Sequence, residues 1–493
     1  MTALASSPFA KGEADIFIEP SMANRHGLIA GSTGTGKTVT LRVLIEQFSS
    51  MGVPVFLPDI KGDLSGMCRP GGGNKKIEER AGLLGLNDFS YEGLPVRFWD
   101  LHGKEGHPVR ATISEMGPLL LSRILNLNNT QSGILSMLFR YADDNQLLLI
   151  DIADLVSLIT HALENTAEIK GKYGNMTSAS LGAIQRAVFT LEEQGGDLFF
   201  GEPSLLLEDI LEVKDGKGVV NLLSATDLMK APKIYSTFLL WLLSELYDFL
   251  PEAGDMEKPK FLLFFEEAHL LFTDTPKALE EKIIQIVRLI RSKGVGVYFI
   301  TQNPGDIPEA VLGQLGNRVL HALRATTPGE MRAVKTAAKS FRQNPKIDTE
   351  KAIGELGIGE ALVSVLDSSG VPTSVDRAFI YPPRSSLSPL SSSDIQVEVR
   401  SSPLFGKYED MINRHSAAEE LLLRQKKTEA EKQAVEKTVA RPKAKASPAS
   451  KSSKSKDVGD VVSTIAVRTA TNVGTQIGKE IVRGMLGSWL KKK

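Results

Sequence analysis

One stretch near the start of the chain has the residue types and spacing to bind a phosphate. It reads GSTGTGKT and runs from Gly31 to Thr38, after a predicted strand and at the start of a predicted helix. Glycines let backbone N–H groups turn toward a phosphate, and the helix N-terminus adds partial positive charge. Lys37 can bridge β- and γ-phosphates, and the Thr38 hydroxyl can ligate Mg²⁺. The alternative is that the pattern matches by chance. We predict a nucleotide site, and its residues are Gly31, Ser32, Thr33, Gly34, Thr35, Gly36, Lys37, Thr38 and Val39.

Two adjacent acids end a strongly apolar segment in the second half of the chain. The segment FLLFFEE places Glu266 and Glu267 at the end of a predicted buried strand. Buried carboxylates are costly without a partner, and a metal ion is one such partner. Phosphoryl transfer needs an acid near Mg²⁺ and a group that orients the attacking water. We predict that Glu266 holds Mg²⁺ and that Glu267 polarises water; two acids at a solvated strand end are the alternative.

Two further polar residues follow predicted strands. Gln302 follows GVYFIT, where it can detect the γ-phosphate or can be an ordinary strand-end amide. Asp59 ends VPVFLPD, where it can help to position metal or water, or can cap a helix or turn. Ligands bind at the carboxyl ends of strands in open α/β sheets, so both residues are candidates for the same site.

Alternating apolar strands and helices surround these residues, which is typical of a parallel sheet with crossover helices. In the middle of the chain the pattern becomes mostly helical, with GVVNLLS as a candidate strand, and the sheet pattern then returns. Two segments, 1–110 and 256–383, are predicted to form one core, and 111–255 between them is a mostly helical insertion. The remaining segments are a linker and charged helix at 384–440, a basic disordered linker at 441–457 and an amphipathic helix at 458–493.

The bulk composition limits the class of protein. The chain has 493 residues, of which 42% are hydrophobic and 24% are charged, and this is ordinary for globular proteins. A net charge of −1 gives no overall attraction to nucleic acid, although a local channel can still be basic. The single cysteine, Cys68, fits a reducing compartment. Without a signal peptide or a long apolar span, we expect a cytoplasmic protein with no transmembrane segment.

Five segments together resemble the HerA/FtsK superfamily of ring-forming motor ATPases, and within it the bacterial YjgR-like branch of HerA type. They are MANRHGLIAGSTGTGKT, PVFLPDIKGDL, FLLFFEEAHLLF, RLIRSKGVGVYFITQNP and LGQLGNRVLHALRA, and the tail sequence RGMLGSWL adds to them. The resemblance implies an α/β fold with a RecA-like P-loop NTPase core, a parallel-rich sheet, a mostly helical insertion and a partly disordered C-terminal tail. It also implies ATP and Mg²⁺ as cofactors, and a homohexamer with its sites between subunits.

The resemblance also implies roles for individual residues. Arg25, just before the first strand, matches a trans-acting arginine finger, and Arg291 matches a nucleotide-sensing arginine. Asp59 matches the acid that ends the second strand, and Glu267 matches the catalytic glutamate. Without the resemblance, the two arginines are ordinary surface charges. The predicted catalytic set is Glu267, Lys37, Arg25, Arg291, Gln302 and Asp59.

The chain departs from the family pattern at two points. Glu266 stands where the family usually has Asp, and its extra methylene moves the carboxylate outward. The segment before the phosphate loop is too short for the N-terminal barrel that HerA proteins use to dock a nuclease. We therefore do not expect a role in DNA-end resection with a nuclease.

Two functions fit these features, and both include ATP hydrolysis. The first is a hexameric motor acting on a polymer, with double-stranded DNA as the leading candidate; the lysine-rich tail favours it and the near-zero net charge does not. The second is an ATP-switched assembly or remodelling protein, with a protein partner bound by the helical insertion and the C-terminal tail. A small-molecule kinase fits less well, because an arginine finger before the first strand has no use in it.

Overall fold

The computed structural model describes residues 7–226, 232–273, 275, 277–325 and 327–439. The strands in these ranges are β1 (Ala10–Lys11), β2 (Asp15–Ile16), β3 (Gly27–Ala30), β4 (Val55–Asp59), β5 (Val96–Asp100), β6 (His107–Pro108), β7 (Val213–Lys214), β8 (Lys217–Gly218), β9 (Val220–Ser224), β10 (Phe261–Phe265), β11 (Val295–Thr301), β12 (Asn317–Leu320), β13 (Glu360–Ser364) and β14 (Asp376–Ile380). The predicted tail segments 441–457 and 458–493 lie outside the described residues.

The α-helices in these ranges lie between the strands or after the last of them. They are α1 (Lys37–Ser50), α2 (Lys75–Leu83), α3 (Ile113–Ile124), α4 (Asn129–Asp144), α5 (Ile152–Glu164), α6 (Thr166–Tyr173), α7 (Ser178–Leu191), α8 (Asp197–Phe199), α9 (Leu207–Ile210), α10 (Pro232–Phe249), α11 (Lys277–Leu289), α12 (Glu309–Leu312), α13 (Pro328–Lys339), α14 (Thr349–Glu355), α15 (Ser392–Ser401) and α16 (Ala417–Val439). None of the helices within the described ranges has both the length and the apolar character needed to cross a bilayer.

Twelve of the described strands form one sheet, in the order β2-β1-β14-β13-β12-β3-β11-β10-β4-β9-β5-β6. Pairing is parallel from β12 to β6 in this order, and antiparallel from β12 to β2. This topology confirms the predicted α/β fold with a parallel-rich sheet. The candidate strand GVVNLLS forms β9 and lies between β4 and β5, so the chain re-enters the sheet well before residue 255.

Helices cover both faces of the sheet, which explains why its central strands are apolar at every position. In β10, Phe261, Leu263 and Phe265 belong to one hydrophobic core, whereas Leu262 and Phe264 belong to the other. All five side chains are fully buried. The first core also contains residues of α3 to α7, α10, α11 and α13, and the second contains the apolar residues of α1 and α15. The strand that carries the two candidate acids is therefore fixed from both sides.

The predicted helical insertion supplies α3 to α9, which lie between β6 and β7 in the chain. Thr112, Asn128 and Asp151 begin three of these helices with reciprocal capping hydrogen bonds. The insertion also contacts the chain just beyond the candidate acids. Arg123 at the end of α3 donates from Nη2 to the carbonyl oxygens of Leu270 and Leu271, at 3.0 and 3.1 Å.

The serine-rich segment predicted as a linker packs against α1. The Glu46 carboxylate accepts hydrogen bonds from the backbone N–H groups of Arg384 and Ser385, each at 2.9 Å. Arg42 donates to the carbonyl oxygen of Ser386 at 2.5 Å. The composition of this segment does not reveal its packing, because its partners are two buried charged residues of α1. The predicted charged helix that follows is α16.

Candidate nucleotide-binding site

The loop Gly31–Thr38 connects β3 to α1, as its sequence predicts. Gly31 and Gly36 have φ angles of 150° and 122°, which few other residues adopt. A Cβ at Gly31 would lie 2.6 Å from Cβ of His321, and one at Gly36 would lie 3.2 Å from Cε1 of the same histidine. Glycine is therefore needed at both positions for backbone conformation and for the close approach of His321.

Lys37 is held on this loop by backbone carbonyls. Its Nζ donates to the carbonyl oxygen of Gly31 at 2.5 Å and to that of Ser32 at 3.0 Å. An ammonium group has three donors, so a third N–H remains for a phosphate. Burial lowers the pKa of Lys37, and the nearby charge of Lys61 acts in the same direction. The negative charges of the two candidate acids oppose this shift.

A small cavity brings five of the predicted residues together, namely Lys37, Thr38, Glu266, Glu267 and Gln302. Its lining residues are Lys37, Thr38, Leu41, Lys61, Glu266, Glu267, Ile300, Thr301 and Gln302. The cavity thus combines the phosphate loop with the residues that follow β4, β10 and β11. Lys61 is the residue that the sequence analysis missed. Its signal was its place two residues after Asp59, which ends a strand at this edge.

Glu266 has the surroundings expected of a magnesium ligand. It is 7% exposed, and burial raises its pKa to about 7, against the opposing charge of Lys61. Among the residues that the structure describes, one group donates to its carboxylate: the backbone N–H of Ile60, at 3.4 Å from Oε2. A buried carboxylate with this little compensation, in the same cavity as the Thr38 hydroxyl, supplies the oxygen donors that Mg²⁺ prefers. The residues present therefore fit a magnesium ion.

Glu267 is fixed by its backbone and by Gln302. It has φ 50° and ψ 49°, a left-handed conformation that is uncommon outside glycine and often found at functional sites. Gln302 donates from Nε2 to Oε1 and Oε2 of Glu267, at 2.6 and 2.5 Å. His269 Nδ1 lies 3.5 Å from Oε2. These contacts hold the carboxylate at the cavity, where it can orient water.

Asp59 points into its own loop. Its Oδ1 accepts from the backbone N–H of Asp63 at 3.1 Å, and its Oδ2 from that of Leu64 at 2.9 Å. Burial raises its pKa. These bonds match the turn-capping alternative, and Asp59 is not among the residues that line the cavity. A role in positioning metal or water stays a prediction.

Arg25 and Arg291 lie at the opposite edge of the sheet from the cavity. Arg25 ends the 3₁₀ helix Pro20–Arg25 before β3, and Arg291 lies in the 3₁₀ helix Ile290–Lys293 before β11. The two strands pair in parallel, so both arginines are at their amino ends. Burial lowers the pKa of Arg291, and the nearby charge of Arg25 adds to this effect. β3 runs between Arg25 and the phosphate loop, and its 4 residues at about 3.3 Å each separate the two by about 13 Å.

The family described as "Helicase HerA-like C-terminal" matches residues 6–493. The chain is 23% identical over 347 residues to the DNA double-strand break repair helicase HerA of Saccharolobus solfataricus, which covers 69% of this chain and 61% of that protein. It is 23% identical over 352 residues to a probable helicase of Methanocaldococcus jannaschii, which covers 69% and 60%. The chain thus spans about three fifths of the length of these relatives.

Two solved structures share the fold. The plasmid coupling protein TrwB, in complex with the non-hydrolysable ATP analogue ADPNP, gives a TM-score of 0.52 at 11% identity over 79% of this chain and 92% of that chain. VirB4 of Thermoanaerobacter pseudethanolicus gives 0.50 at 15% identity over 76% and 97%. At these identities the likeness establishes the RecA-like P-loop fold alone. Because the family match extends over residues 6–493, the chain belongs to the HerA-like helicase C-terminal family.

Proposed function

We propose that this protein is a ring-forming ATPase of HerA/FtsK type. It hydrolyses ATP at sites between subunits and acts as a motor on double-stranded DNA. One observation carries the proposal. Lys37, Glu267 and Gln302 meet at one edge of the sheet, whereas Arg25 lies at the other edge. An arginine at that edge can serve only the phosphate loop of a neighbouring subunit. A ring of identical subunits, expected to be a hexamer, supplies that neighbour at every site.

Five residues of the cavity have a part in this reaction. Lys37 and the loop N–H groups bind the β- and γ-phosphates, while Thr38 and Glu266 hold Mg²⁺. The metal ion, when bound, neutralises charge on the phosphate oxygens. Glu267 orients the attacking water and accepts its proton. Gln302 positions Glu267 through the two hydrogen bonds described above and reads the presence of the γ-phosphate.

Arg25 from a neighbour supplies positive charge to the transferred phosphoryl group. In other phosphoryl-transfer enzymes such a finger is worth about 10³ to 10⁵ in rate. Arg291 lies beside Arg25, so nucleotide sensing and the finger share one edge of the subunit. The monomer then has no complete site, and specific activity falls on dilution.

A mixing experiment tests this arrangement. Arg25→Ala subunits keep a sound phosphate loop but offer no finger, whereas Lys37→Ala subunits offer a finger but have no working loop. Each variant alone is inactive. When equal amounts of the two variants assemble at random, about one interface in four pairs a sound loop with a sound finger, so activity returns to about a quarter of the unaltered level.

The exposed Arg186 on α7 provides a matched control. Arg186→Ala alone retains full activity, because this arginine lies in the helical insertion and not at the amino ends of β3 and β11. Full activity of Arg25→Ala alone, or mixed rings that are confirmed by mass and stay inactive, would show that Arg25 is a surface charge.

DNA is the preferred polymer because the relative from Saccharolobus solfataricus is described as a DNA double-strand break repair helicase. The alternative, remodelling of a protein partner, is favoured by the contact of Arg123 in the helical insertion with the segment after Glu267. The two are separated by the ATPase rate. A DNA motor is stimulated by duplex DNA at low salt and loses this stimulation as salt screens the phosphates. A protein remodeller shows no response to DNA.

A further inference from the structure

The helix α13 carries an exposed row of cations. Arg332, Lys335 and Lys339 are three and four residues apart, so they lie on one side of the helix, and all three are exposed. The one acid in its sequence is Glu330, whose carboxylate accepts the backbone N–H of Thr327 at 2.8 Å in a capping box. None of the three cations forms an ion pair with any residue that the structure describes.

Some other exposed lysines of this chain do have acidic partners. Lys172 lies 3.0 Å from Asp144, and Lys346 lies 2.8 Å from Glu13. A row of like charges without such partners repels itself in the absence of an anion. An extended polyanion relieves that repulsion by binding along the row.

The chain that leads into α13 is hydrogen-bonded to the phosphate loop. The backbone N–H of Ser32 donates to the carbonyl oxygen of Ala322 at 2.9 Å. The backbone N–H of Arg324 donates to the Ser32 hydroxyl at 3.0 Å. A displacement of this segment therefore acts on a loop residue that is predicted to bind nucleotide.

The inner side of α13 faces an apolar cavity of about 130 Å³. Ala333 and Ala337 of α13 line it on one side, and Pro304 and Gly305 line it on another. The latter two follow Gln302 closely in the chain. Protein interiors are normally close-packed, so an unfilled volume of this size leaves α13 room to shift against the segment after Gln302.

We propose that the row Arg332, Lys335 and Lys339 contacts the phosphate backbone of nucleic acid, and that α13 transmits this contact to the nucleotide site. The inference rests on the proposed function and adds the surface that touches the polymer. Seven residues of helix at about 1.5 Å each span about 10 Å. One strand of a duplex carries a phosphate about every 3.4 Å, which gives about three phosphates over that length. Three cations thus face about three phosphates.

Binding of labelled oligonucleotides to the full chain tests the contact. Affinity for a duplex and for a single strand of equal length is measured by fluorescence anisotropy between about 50 and 200 mM salt. Each lost phosphate contact lowers the slope of log affinity against log salt by about 0.7 to 0.9. In the triple variant Arg332→Gln, Lys335→Gln, Lys339→Gln, the magnitude of that slope should therefore decrease by roughly 2 to 3. Its affinity at low salt should decrease by at least about tenfold.

A second triple variant controls for net charge. Lys426→Gln, Lys427→Gln, Lys432→Gln removes three equally exposed lysines from α16 and should leave the slope unchanged. A smaller salt slope in the α13 variant but not in the α16 variant supports the proposal. The oligonucleotide that shows this difference, duplex or single strand, is the ligand. An equal loss in both variants, or none in the α13 variant, overturns it. If the unaltered chain hydrolyses ATP but binds neither probe, DNA as the polymer is overturned together with this surface.

A cavity-filling variant tests transmission separately. Ala333→Leu places a larger apolar side chain in the 130 Å³ cavity and limits the shift of α13, while its cations stay in place. Duplex affinity should match that of the unaltered chain, and stimulation of ATP hydrolysis by the duplex should fall several-fold. Undiminished stimulation with unchanged affinity overturns transmission through α13 and leaves the contact itself standing.

Discussion

Gln302 donates from Nε2 to both carboxylate oxygens of Glu267, at 2.6 and 2.5 Å. The two residues follow β11 and β10, which are parallel neighbours with Phe299 opposite Phe265. The amide predicted to detect the γ-phosphate is thus joined to the acid predicted to activate water. Under the proposed function, a γ-phosphate that binds the Gln302 amide weakens the hydrogen bonds from this amide to Glu267. The same two hydrogen bonds then link the nucleotide state to the activation of water.

The first prediction concerns this pair. Glu267→Gln should bind ATP with little change in affinity but hydrolyse it about 10² to 10⁴ times more slowly, because water loses its base. Gln302→Ala should also retain ATP affinity and lose less turnover, because the carboxylate is present but less well held. Binding of a fluorescent ATP analogue and single-turnover hydrolysis measure the two quantities. Equal turnover in Glu267→Gln and the unaltered chain would remove Glu267 from the mechanism.

The second prediction concerns Lys37. Its Nζ bonds to the Gly31 and Ser32 carbonyl oxygens, so Lys37→Ala removes both a phosphate ligand and two contacts within the loop. Nucleotide affinity and turnover should both be lost while the melting temperature stays within a few degrees. Lys37→Arg is the matched control, which keeps the charge with a different geometry and should retain part of the binding. Normal ATP binding by folded Lys37→Ala would mean that the loop does not hold the phosphates through this cation.

Local motifs made the core of the site predictable. The spacing of GSTGTGKT, and the apolar run FLLFFEE with its terminal acids, are short-range signals that depend on one strand and one turn each. Of the residues they named, Lys37, Thr38, Glu266 and Glu267 line a single cavity together with Gln302. The family resemblance added Arg25 and Arg291, whose meeting at one edge follows from the parallel pairing of β3 and β11.

Contacts between distant segments could not be predicted in the same way. His321 packs against the glycines of the phosphate loop, although it lies 290 positions after the first of them. The segment PPRSSLSPLSSSD has the composition of a linker, yet its backbone bonds to Glu46, a buried acid far earlier in the chain. In both cases the partner is set by sheet order, which single-sequence patterns do not encode.

The third prediction is a pH dependence set by Glu266. Burial raises its pKa to about 7, from an ordinary value of 4.5. A proton and Mg²⁺ compete for this carboxylate, so the Mg²⁺ concentration needed for half-maximal hydrolysis should fall as pH rises toward about 7 and level off above it. Mg²⁺ titrations of the ATPase rate at several pH values measure this. Glu266→Asp should keep activity, and Glu266→Gln should lose the pH dependence.

Folding stability gives an independent check on the same residue. A carboxyl group whose pKa is higher in the folded state than in the unfolded state destabilises the fold as pH rises between the two values. Glu266→Gln should therefore stabilise the nucleotide-free protein more at pH 8 than at pH 5, as measured by chemical denaturation. A gain that is the same at both pH values would show that the acid is not perturbed.

The fourth prediction concerns Arg123, through which the helical insertion contacts the catalytic segment. It is buried, its pKa is lowered by burial to about 10, and its Nη2 donates to the carbonyl oxygens of Leu270 and Leu271. Arg123→Met loosens the turn after Glu267, so turnover should fall about ten- to a hundredfold, since small misplacements of catalytic groups have effects of this size. The KM for ATP should not change.

Arg123→Lys is the conservative control for that variant. It retains a cationic donor for the two carbonyl oxygens and should recover part of the turnover. A merely structural role predicts instead that both variants change the melting temperature without a selective loss of turnover. Unaltered turnover in Arg123→Met would show that the insertion is not coupled to the site through this residue.

The fifth prediction concerns the support beneath the phosphate loop. His321 Nδ1 lies 2.8 Å from the carbonyl oxygen of Glu360, and its Nε2 lies 2.7 Å from Oγ1 of Thr40. A carbonyl oxygen can only accept, so Nδ1 carries the hydrogen and Nε2 accepts from the Thr40 hydroxyl. Burial lowers the pKa of His321 to about 4, and the nearby charge of Lys37 adds to this, which keeps the ring neutral near pH 7. Thr40 therefore ties the first turn of α1 to the end of β12.

Thr40→Val removes that tie with little change in shape and leaves Nε2 buried without a donor. An unsatisfied buried group costs about 1 to 3 kcal/mol, so the free energy of unfolding should fall by that amount. ATP affinity should weaken as well, because the imidazole packs on the glycines that shape the loop. Thr40→Ser keeps the hydroxyl and loses the methyl group, so it should retain the bond to His321 and the ATP affinity, which separates the hydrogen bond from the apolar packing of Thr40. If Thr40→Val and Thr40→Ser have equal stability and equal affinity, the bond to His321 does not support the phosphate loop.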